Sequence, residues 1–514
     1  MGIYIHFSAA PDRIRRSDWE AAFEDALQIA EKGQLCSIAE RFYDGHAYQA
    51  GIPAGEDDFC RTTGLEISGE LRTGSMMEPH FIPRSFGVDE PTETKNESIL
   101  AMHLDADAPS GISLPETVEI LFNKTQGRAP HIWLLAMVCV FCDRFPDAAS
   151  VMGDVTAGQV SRALQIAEDV LGRKLLPPLA YDPERLLGRV RSLADGDELT
   201  AAKLFFKIYR GLRDKAFTAF IARSFSADVV YAVFRDAAGR DGIYDTLRDW
   251  LLLDKPLKDV ARMLVTDPEG PQYAPEEFVK AVLASKLHIK EKEVYDAAFA
   301  DDCSETPDDV GMLLIRAWVH MRGLRNRAID RFIPLKQLKA DCAAVFGDHC
   351  DVDQLFTEAA EALERDEKQK AAAEFCGKTQ NAMKGATEYS MTALDDLFLW
   401  TPSDADNVPP ALYEKLAAFL HMAYETTAGI FAEFRAASRD ERIEMLIQCA
   451  DNNFLLPDTV WIRLFDNVME ESVMRRYIAL FGAPLEGRDA TTIARLFLYN
   501  EALYDQIRET ECSA

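Results

Sequence analysis

The chain has 514 residues, of which 48% are hydrophobic and 27% charged, a composition typical of a folded protein with several hydrophobic cores. Its 56 basic and 85 acidic side chains give a formal net charge of −29. A charge of this sign opposes binding to bare nucleic acid and to anionic membrane surfaces, so we predict neither as a direct partner.

The N-terminal sequence MGIYIHFSAAPDRIRRSDWE has no basic segment followed by a long apolar run, which is the pattern of a secretory signal. The apolar run at 132–142, IWLLAMVCVFC, is shorter than the ~18 residues that span a bilayer. The 10 cysteines are scattered without the spacing of a disulfide framework. These features predict a soluble cytoplasmic protein with reduced thiols.

Residues 1–130 have the mixed pattern of a small α+β module. Strands are predicted at three segments: 2–7 (GIYIHF), 64–74 (GLEISGELRTG) and 98–107 (SILAMHLDAD). After the first strand we predict a helix that begins at a capping box, Ser17 to Glu20, and ends before Gly33. We expect the strands to form a short antiparallel sheet.

Beyond Pro130 the apolar residues recur with the period of a helix, about 3.6 residues. The same stripe recurs in several segments: 160–171, 197–212, 226–239, 242–253, 308–321, 440–450, 472–482 and 491–507. No fixed repeat period relates them. We therefore predict a mostly α chain, in which the small N-terminal α+β module precedes a large multi-helix region packed as a bundle or an irregular solenoid-like array.

Loops rich in Pro, Gly and Asp at 265–277 and 400–410 suggest further boundaries. The predicted domains are an α+β module, a helical domain, a second helical domain with a long charged helix, and a C-terminal helical domain: 1–130, 131–265, 266–400 and 401–514. The charged helix is predicted at 351–377, with Asp351 as its N-cap, and is interpreted as a surface helix or a partner-binding helix.

The stretch Gly153–Gly158, GDVTAG, spaces two glycines as in a phosphate-binding loop. Gln159 and Val160, however, stand where such a loop has the lysine and the hydroxyl residue that contact phosphate and Mg²⁺. The preceding FPDAASVM predicts no strong strand. Thr156 and Gln159 instead match a capping box, with Asp154 beside the helix N-terminus. We predict that the loop begins a helix and does not bind nucleotide.

Segment 122–131, FNKTQGRAPH, is rich in hydrogen-bond donors. Pro130 suits the first turn of a helix, which places the neighbouring polar groups near helix amides that favour anions. Two interpretations stay open: a polar connector between two helices, or a site for an anion or another small ligand. The ligand site would contain residues of this segment and of the Gly153 loop: Asn123, Lys124, Gln126, His131, Asp154, Thr156 and Gln159.

The sequence predicts no metal site and no cofactor. His103, Asp105 and Asp107 would share one face of a strand, but no second cluster of ligands accompanies them. Cys139 and Cys142 form a C-x-x-C inside an apolar helix, without the second pair that a zinc site requires. The acidic segment 347–353 lacks the Gly and terminal Glu of a calcium-binding loop.

The sequence contains none of the common catalytic motifs, and no catalytic residue is assigned. The leading hypothesis is an acidic cytoplasmic helical scaffold that binds another protein. One alternative is an enzyme or a small-ligand or anion-binding protein with its site around Asn123–His131. Another is an acidic inhibitor that mimics nucleic acid. The oligomeric state is not predicted.

Overall fold

The computed structural model describes residues 3–56, 58–71, 74–91, 98–103, 116–125, 130–289, 331–377, 410–450, 454–485 and 488–513. These residues are predominantly helical and form two small antiparallel sheets, which confirms the mostly α prediction. Its contacts divide it into two compact units. The first contains both ends of the chain, Met1–Leu186 and Ala386–Ala514, and the second is Leu187–Gly385. The predicted boundaries at 130, 265 and 400 stay predictions.

The N-terminal region, Met1–Leu186, contains both sheets. Its described strands are β1 (Ile5–Ala9), β2 (Leu35–Tyr43), β3 (His46–Pro53), β4 (Gly64–Glu70), β5 (Ser75–Pro83), β6 (Val118–Leu121) and β7 (Ala149–Gly153). Its described helices are α1 (Arg16–Lys32), α2 (Asp58–Thr62), α3 (Pro130–Arg144) and α4 (Ala157–Leu171), and α5 (Pro183–Leu193) begins there. The sheet orders are β6-β1-β7 and β3-β2-β4-β5, with every neighbouring pair antiparallel.

One hydrophobic core joins the two sheets to α1, α3 and α4. Strand β1 alternates as a half-buried strand should, with Ile5, Phe7 and Ala9 buried. The apolar sequence of α3 lets it lie inside this core, buried on nearly all sides. At the centre, the Phe141 ring lies 4.4 Å from the Trp19 ring and 5.5 Å from the Phe7 ring, measured between centroids.

The predicted strands at 2–7 and 64–74 correspond to β1 and β4, but the prediction of a strand at 98–107 was wrong for its described part. Ile99–His103 form a short 3-10 helix. The turn closes on Ser98, whose carbonyl accepts a hydrogen bond from the amide of Ala101 and whose hydroxyl accepts one from Leu100. Residues 104–107 lie outside the described residues.

The helix α1 does not begin at the predicted capping box. It begins at Arg16, one residue before Ser17, and the N-cap residue Arg15 makes no side-chain capping bond. The reason is a tertiary contact, because the amide of Arg16 donates to the carbonyl of Val88 at 2.9 Å. The helix does end before Gly33, where an added Cβ would lie 2.6 Å from the Trp133 ring. Close packing therefore requires glycine there.

The C-terminal helices of the first unit are α13 (Pro410–Thr426), α14 (Ala428–Ala436), α15 (Arg439–Ala450), α16 (Asp458–Asp466), α17 (Glu471–Gly482), α18 (Arg488–Tyr499) and α19 (Glu501–Ser513). Their core includes Tyr48 and Ala50 of β3. The Tyr48 hydroxyl donates to Asp458 at 2.6 Å, and the indole of Trp461 donates to the carbonyl of Gln49 at 3.0 Å. The C-terminal helices thus pack against the β2–β3 hairpin.

In the second unit, all regular secondary structure among the described residues is helical. Its helices are the end of α5, then α6 (Glu198–Ile208), α7 (Lys215–Ser224), α8 (Ala227–Leu252), α9 (Leu257–Ala261), α10 (Pro275–Ala284), α11 (Leu335–Phe346) and α12 (Val352–Gly377). Gly242, with φ 79°, kinks α8 between the two predicted stripes. Asp351 caps the predicted long helix α12, accepting from the amide of Gln354 at 3.1 Å. The predicted helix at 308–321 lies outside the described residues.

Among the described residues, no individual helix combines the length and apolar character needed to cross a membrane. Only α7 and α8 taken together, a pair bent by 108°, meet that criterion.

Candidate functional site

The predicted connector at 122–131 joins a strand to a helix rather than two helices. Residues 118–121 form β6, because they pair with β1, and α3 begins at Pro130. Gln126 and Arg128 lie outside the described residues. The described polar residues before the helix are Asn123, Lys124 and Thr125.

Tyr4 brings Lys124 and Asp154 together. Tyr4 forms an isolated antiparallel bridge with Lys124, and the Lys124 ammonium lies 5.9 Å from the centre of the Tyr4 ring. On the other side, the Tyr4 amide donates to Oδ2 of Asp154 at 3.2 Å, and the Asp154 amide donates to the Tyr4 carbonyl at 3.0 Å. Segment 122–131 and the Gly153 loop, which the sequence analysis placed together only as a hypothesis, therefore meet beside β1.

The predicted donors Asn123 and Lys124 bind groups of the chain itself. The Asn123 amide nitrogen donates to the carbonyl of Pro79 at 2.5 Å. The backbone amide of Lys124 donates to Glu78 at 2.9 Å, and its ammonium lies 3.8 Å from the same carboxylate. These contacts fasten the segment to β5. A direct ligand contact by either residue stays a prediction.

The capping box before α4 is confirmed. The Gln159 amide donates to the Thr156 hydroxyl at 3.2 Å, and the Thr156 amide donates to the Gln159 side chain at 2.8 Å. The expectation that no strand precedes the loop was wrong, since β7 runs into Gly153 and pairs with β1 along its whole length. Cross-strand pairing overrides the weak local propensity of this segment.

Two buried histidines lie inside this region, His131 in the first turn of α3 and His80 on β5. Their exposed fractions are 1% and 2%. Nε2 of His131 and both ring nitrogens of His80 have no hydrogen-bond partner in the structure. Such groups are rare in native proteins, which satisfy roughly 90% or more of their buried polar groups.

Both histidines are neutral near pH 7. The pKa of His131 is lowered to about 4, mainly by burial and also by the nearby charge of His80, whereas Asp154 opposes the shift. Burial likewise lowers the pKa of His80 to about 4, against the opposing effect of Glu78. A neutral imidazole carries a hydrogen on one nitrogen and a lone pair on the other.

The Thr125 hydroxyl lies between the carbonyl of Ile3, at 3.2 Å, and Nδ1 of His131, at 2.7 Å. A hydroxyl has one hydrogen to donate, so it donates to one of these two atoms, and the tautomer of His131 decides which. In either tautomer Nδ1 has a partner, whereas Nε2 is buried and has none.

His80 was missed by the sequence analysis, which predicted no strand around it. Pro79 and Pro83 suggest a loop there, yet 75–83 form β5. The pairing of His80 with Ile67, and of Ile82 with Leu65, turns His80 and Ile82 toward the core. The only local sign of this strand in the sequence is that its two inward-facing residues, His80 and Ile82, stand at alternate positions.

The sequence analysis set aside the pair Cys139 and Cys142, and His103 with its neighbouring aspartates, as metal or redox sites. Cys139 and Cys142 are buried in α3, and burial raises the pKa of both thiols, which keeps them protonated and unreactive. His103 ends a 3-10 helix, whereas Asp105 and Asp107 lie outside the described residues. No group of three or more His, Cys, Asp or Glu side chains placed to hold a metal ion occurs among the residues described.

Comparison of the chain with models of known protein families, with curated proteins and with solved structures finds no match.

Proposed function

We propose that this chain is a ligand-binding protein whose N-terminal region holds a small ligand or ion between His80 and His131. The observation that supports the proposal is the set of unpartnered ring nitrogens on two buried histidines. A buried donor or acceptor without a partner costs about 1–3 kcal/mol. A bound group that satisfies these nitrogens recovers that free energy and stabilises the fold.

The chemistry of the pair restricts the ligand. It must offer Nε2 of His131 a hydrogen-bond donor or a cation if that nitrogen holds the lone pair, and an acceptor if it carries the hydrogen. An anion is disfavoured, since both rings are neutral and the carboxylates of Asp154 and Glu78 act on them. The ligand must also be small, because both side chains are enclosed. A single buried water is the competing occupant.

The proposal is tested by measuring which metals and small molecules the purified protein contains. Wild type, His80→Leu, His131→Leu and the matched surface variant His349→Leu are purified in parallel, and mass spectrometry measures the metals and small molecules released on denaturation. We expect the wild type and His349→Leu to release one metal or small molecule in a stoichiometric amount. His80→Leu and His131→Leu should have lost it. Equal trace contents in all four proteins would leave water as the occupant and refute the proposal.

A second candidate function, the binding of another protein by an acidic scaffold, is favoured by an exposed aromatic pair. Phe59 of α2 and Phe81 of β5 have ring centres 6.0 Å apart and are 43% and 39% exposed. Aromatic side chains are enriched at the centres of protein interfaces. The net charge of −29 favours a basic partner.

Affinity purification of the wild type and its variants tests this second function. A specific partner should be retained by the wild type and by Phe42→Ser. Phe42 is an exposed phenylalanine outside the aromatic pair, on β2. The double variant Phe59→Ser/Phe81→Ser should lose it. Equal recovery with both variants would show that the aromatic pair does not contribute to binding.

A further inference from the structure

We propose that two copies of this chain associate by exchanging the residues that follow Gly242. In the resulting dimer, the chain after this glycine packs on the first half of α8 in the other copy. Such a domain-swapped dimer re-forms between two identical chains the contacts that each chain makes within itself as a monomer. The exchange is independent of the proposed ligand site.

The helix α8 is folded back on itself at Gly242. The Trp250 ring lies 5.4 Å from the Phe234 ring and 6.0 Å from the Tyr231 ring, measured between centroids. In a straight helix Phe234 and Trp250 would be about 24 Å apart, since each residue adds about 1.5 Å. The two halves of α8 therefore pack against each other, and both Phe234 and Trp250 are buried.

A single residue forms the hinge between the two halves. Gly242 is the residue inside α8 whose backbone angles are not helical, with φ 79° and ψ 173°. This combination of angles is accessible almost only to glycine. If Gly242 takes helical angles, α8 becomes one continuous helix of 26 residues. Short hinges under strain favour exchange, because opening the hinge releases the strain.

Thr246 lacks a hydrogen bond that the continuous helix would supply. Its hydroxyl is buried and has no partner among the described residues. Inside a helix, a threonine hydroxyl can donate to the carbonyl four residues earlier, which here belongs to Gly242. The ψ angle of Gly242 turns that carbonyl away from the helix. Straightening α8 would direct the carbonyl to Thr246 and satisfy the buried hydroxyl.

A straight α8 exposes the packing surfaces of both halves, so a second copy must cover them. Within one chain, Trp250 would leave its buried position against Phe234 and expose a large apolar surface. Trp250 of the second copy restores that contact. The hydroxyl of Tyr231 also donates to Asp267 at 2.9 Å. This bond joins residues on opposite sides of the hinge and would likewise re-form between the two chains.

The surroundings of the hinge allow it to straighten. Gly239, Arg240 and Asp241 are exposed, and a Cβ added at Gly242 would contact nothing within 4 Å apart from neighbouring residues of α8. The net charge of −29 on each chain opposes association. We therefore expect the monomer to predominate in dilute solution at low salt, and the dimer to form at high protein concentration and higher salt.

The experiment is size-exclusion chromatography with light scattering on the full-length reduced protein. Each protein is first held at high concentration a few degrees below its melting temperature, so that the hinge opens, in about 0.3 M salt to screen the surface charge. Gly242→Ala strains the folded-back hinge but suits a continuous helix. We expect it to lower the dissociation constant of the dimer about 100-fold. Gly239→Ala is the matched control, because this position is helical in both forms, and should leave the constant unchanged.

Two further variants should favour the monomer. Insertion of Gly-Ser-Gly between Asp241 and Gly242 relieves the hinge and should abolish the dimer. Thr246→Val removes the hydroxyl that the continuous helix satisfies and should raise the dissociation constant about tenfold.

A folded Gly242→Ala protein that is no more dimeric than Gly239→Ala would overturn the proposal. So would a dimer that forms equally well in the insertion variant, because that dimer does not use the hinge. Should Gly242→Ala not fold, the wild type, the insertion variant and Thr246→Val decide. Equal dimer fractions in these three proteins, or no dimer in any of them, overturn the proposal.

Discussion

Thr125 and His131 are joined side chain to side chain, with the hydroxyl oxygen 2.7 Å from Nδ1 of the imidazole. The same hydroxyl lies 3.2 Å from the carbonyl of Ile3, so the contact ties the imidazole ring to the start of β1. Ile3 directly precedes Tyr4, which brings Lys124 and Asp154 together. The residues that lead into β1 therefore organise both the surface contacts and the buried histidine pair.

Replacement of Thr125 by Val should destabilise the protein. The variant leaves Nδ1 of His131 buried without its hydrogen-bond partner, which costs about 1–3 kcal/mol. Thr125→Ser keeps the hydroxyl and should retain most of the stability. Chemical denaturation followed by circular dichroism measures the free energy of unfolding of both variants. A Val variant as stable as the Ser variant would contradict the assigned contact.

The ligand-free protein should lose stability as the pH falls from 7 toward 4. The pKa of each buried histidine is lowered to about 4, whereas the unfolded chain has a value near 6.5. The unfolded state therefore binds more protons in this window, and the free energy of unfolding decreases. At pH 5 the expected loss is about 2 kcal/mol per histidine.

The control for this pH effect is His80→Leu. Its stability should fall less steeply between pH 7 and pH 5 than that of the wild type, whereas His349→Leu should follow the wild type. Urea denaturation at several pH values gives the comparison. Parallel curves for wild type and His80→Leu would show that His80 is not buried as a neutral ring.

The sequence predicts features that depend on local spacing. The stripes at 226–239 and 242–253 and the capping box of Thr156 are examples, because a helical face and a cap need only neighbouring residues. The β2–β3 hairpin also has a local signal, Asp44-Gly45, whose φ angles of 48° and 93° suit a tight hairpin turn. The sequence analysis overlooked it.

The histidine site could not be predicted in the same way. The burial of His80 follows from the pairing of β5 with β4 and from the packing of the sheet against distant helices. The environment of His131 depends on Ile3, far away in the chain. The start of α1 likewise depends on Val88. Contacts between residues far apart in sequence leave no periodic signal.

Loss of the α4 cap should have a modest and graded effect. Thr156→Ala removes the hydroxyl that accepts from the Gln159 amide, and we expect a loss of about 1 kcal/mol in the free energy of unfolding. Gln159→Ala removes only the reciprocal bond and should cost less. Thermal unfolding of the two variants shows which of them loses more stability. The reverse order would contradict the roles assigned to the two side chains.

The hairpin contact with the C-terminal helices should depend on the hydroxyl of the buried Tyr48 more than on that of the half-buried Tyr43. Tyr48 is buried and donates to Asp458 at 2.6 Å, so Tyr48→Phe leaves a carboxylate without its donor and should cost about 1.5–3 kcal/mol. Tyr43 makes a similar bond to Asp466 at an exposed position, where water replaces it. Tyr43→Phe is therefore the matched control and should cost under about 1 kcal/mol. Equal losses in urea denaturation would refute this distinction.

The claim that the histidine pair holds a ligand is tested most directly by the ¹⁵N spectrum of protein labelled at its histidines. The spectrum is recorded as purified and again after bound metals and small molecules are removed. The account predicts that the signals of His131 and His80 differ between the two samples, while that of His349 does not. Signals of His80 and His131 that are identical in both samples would contradict it.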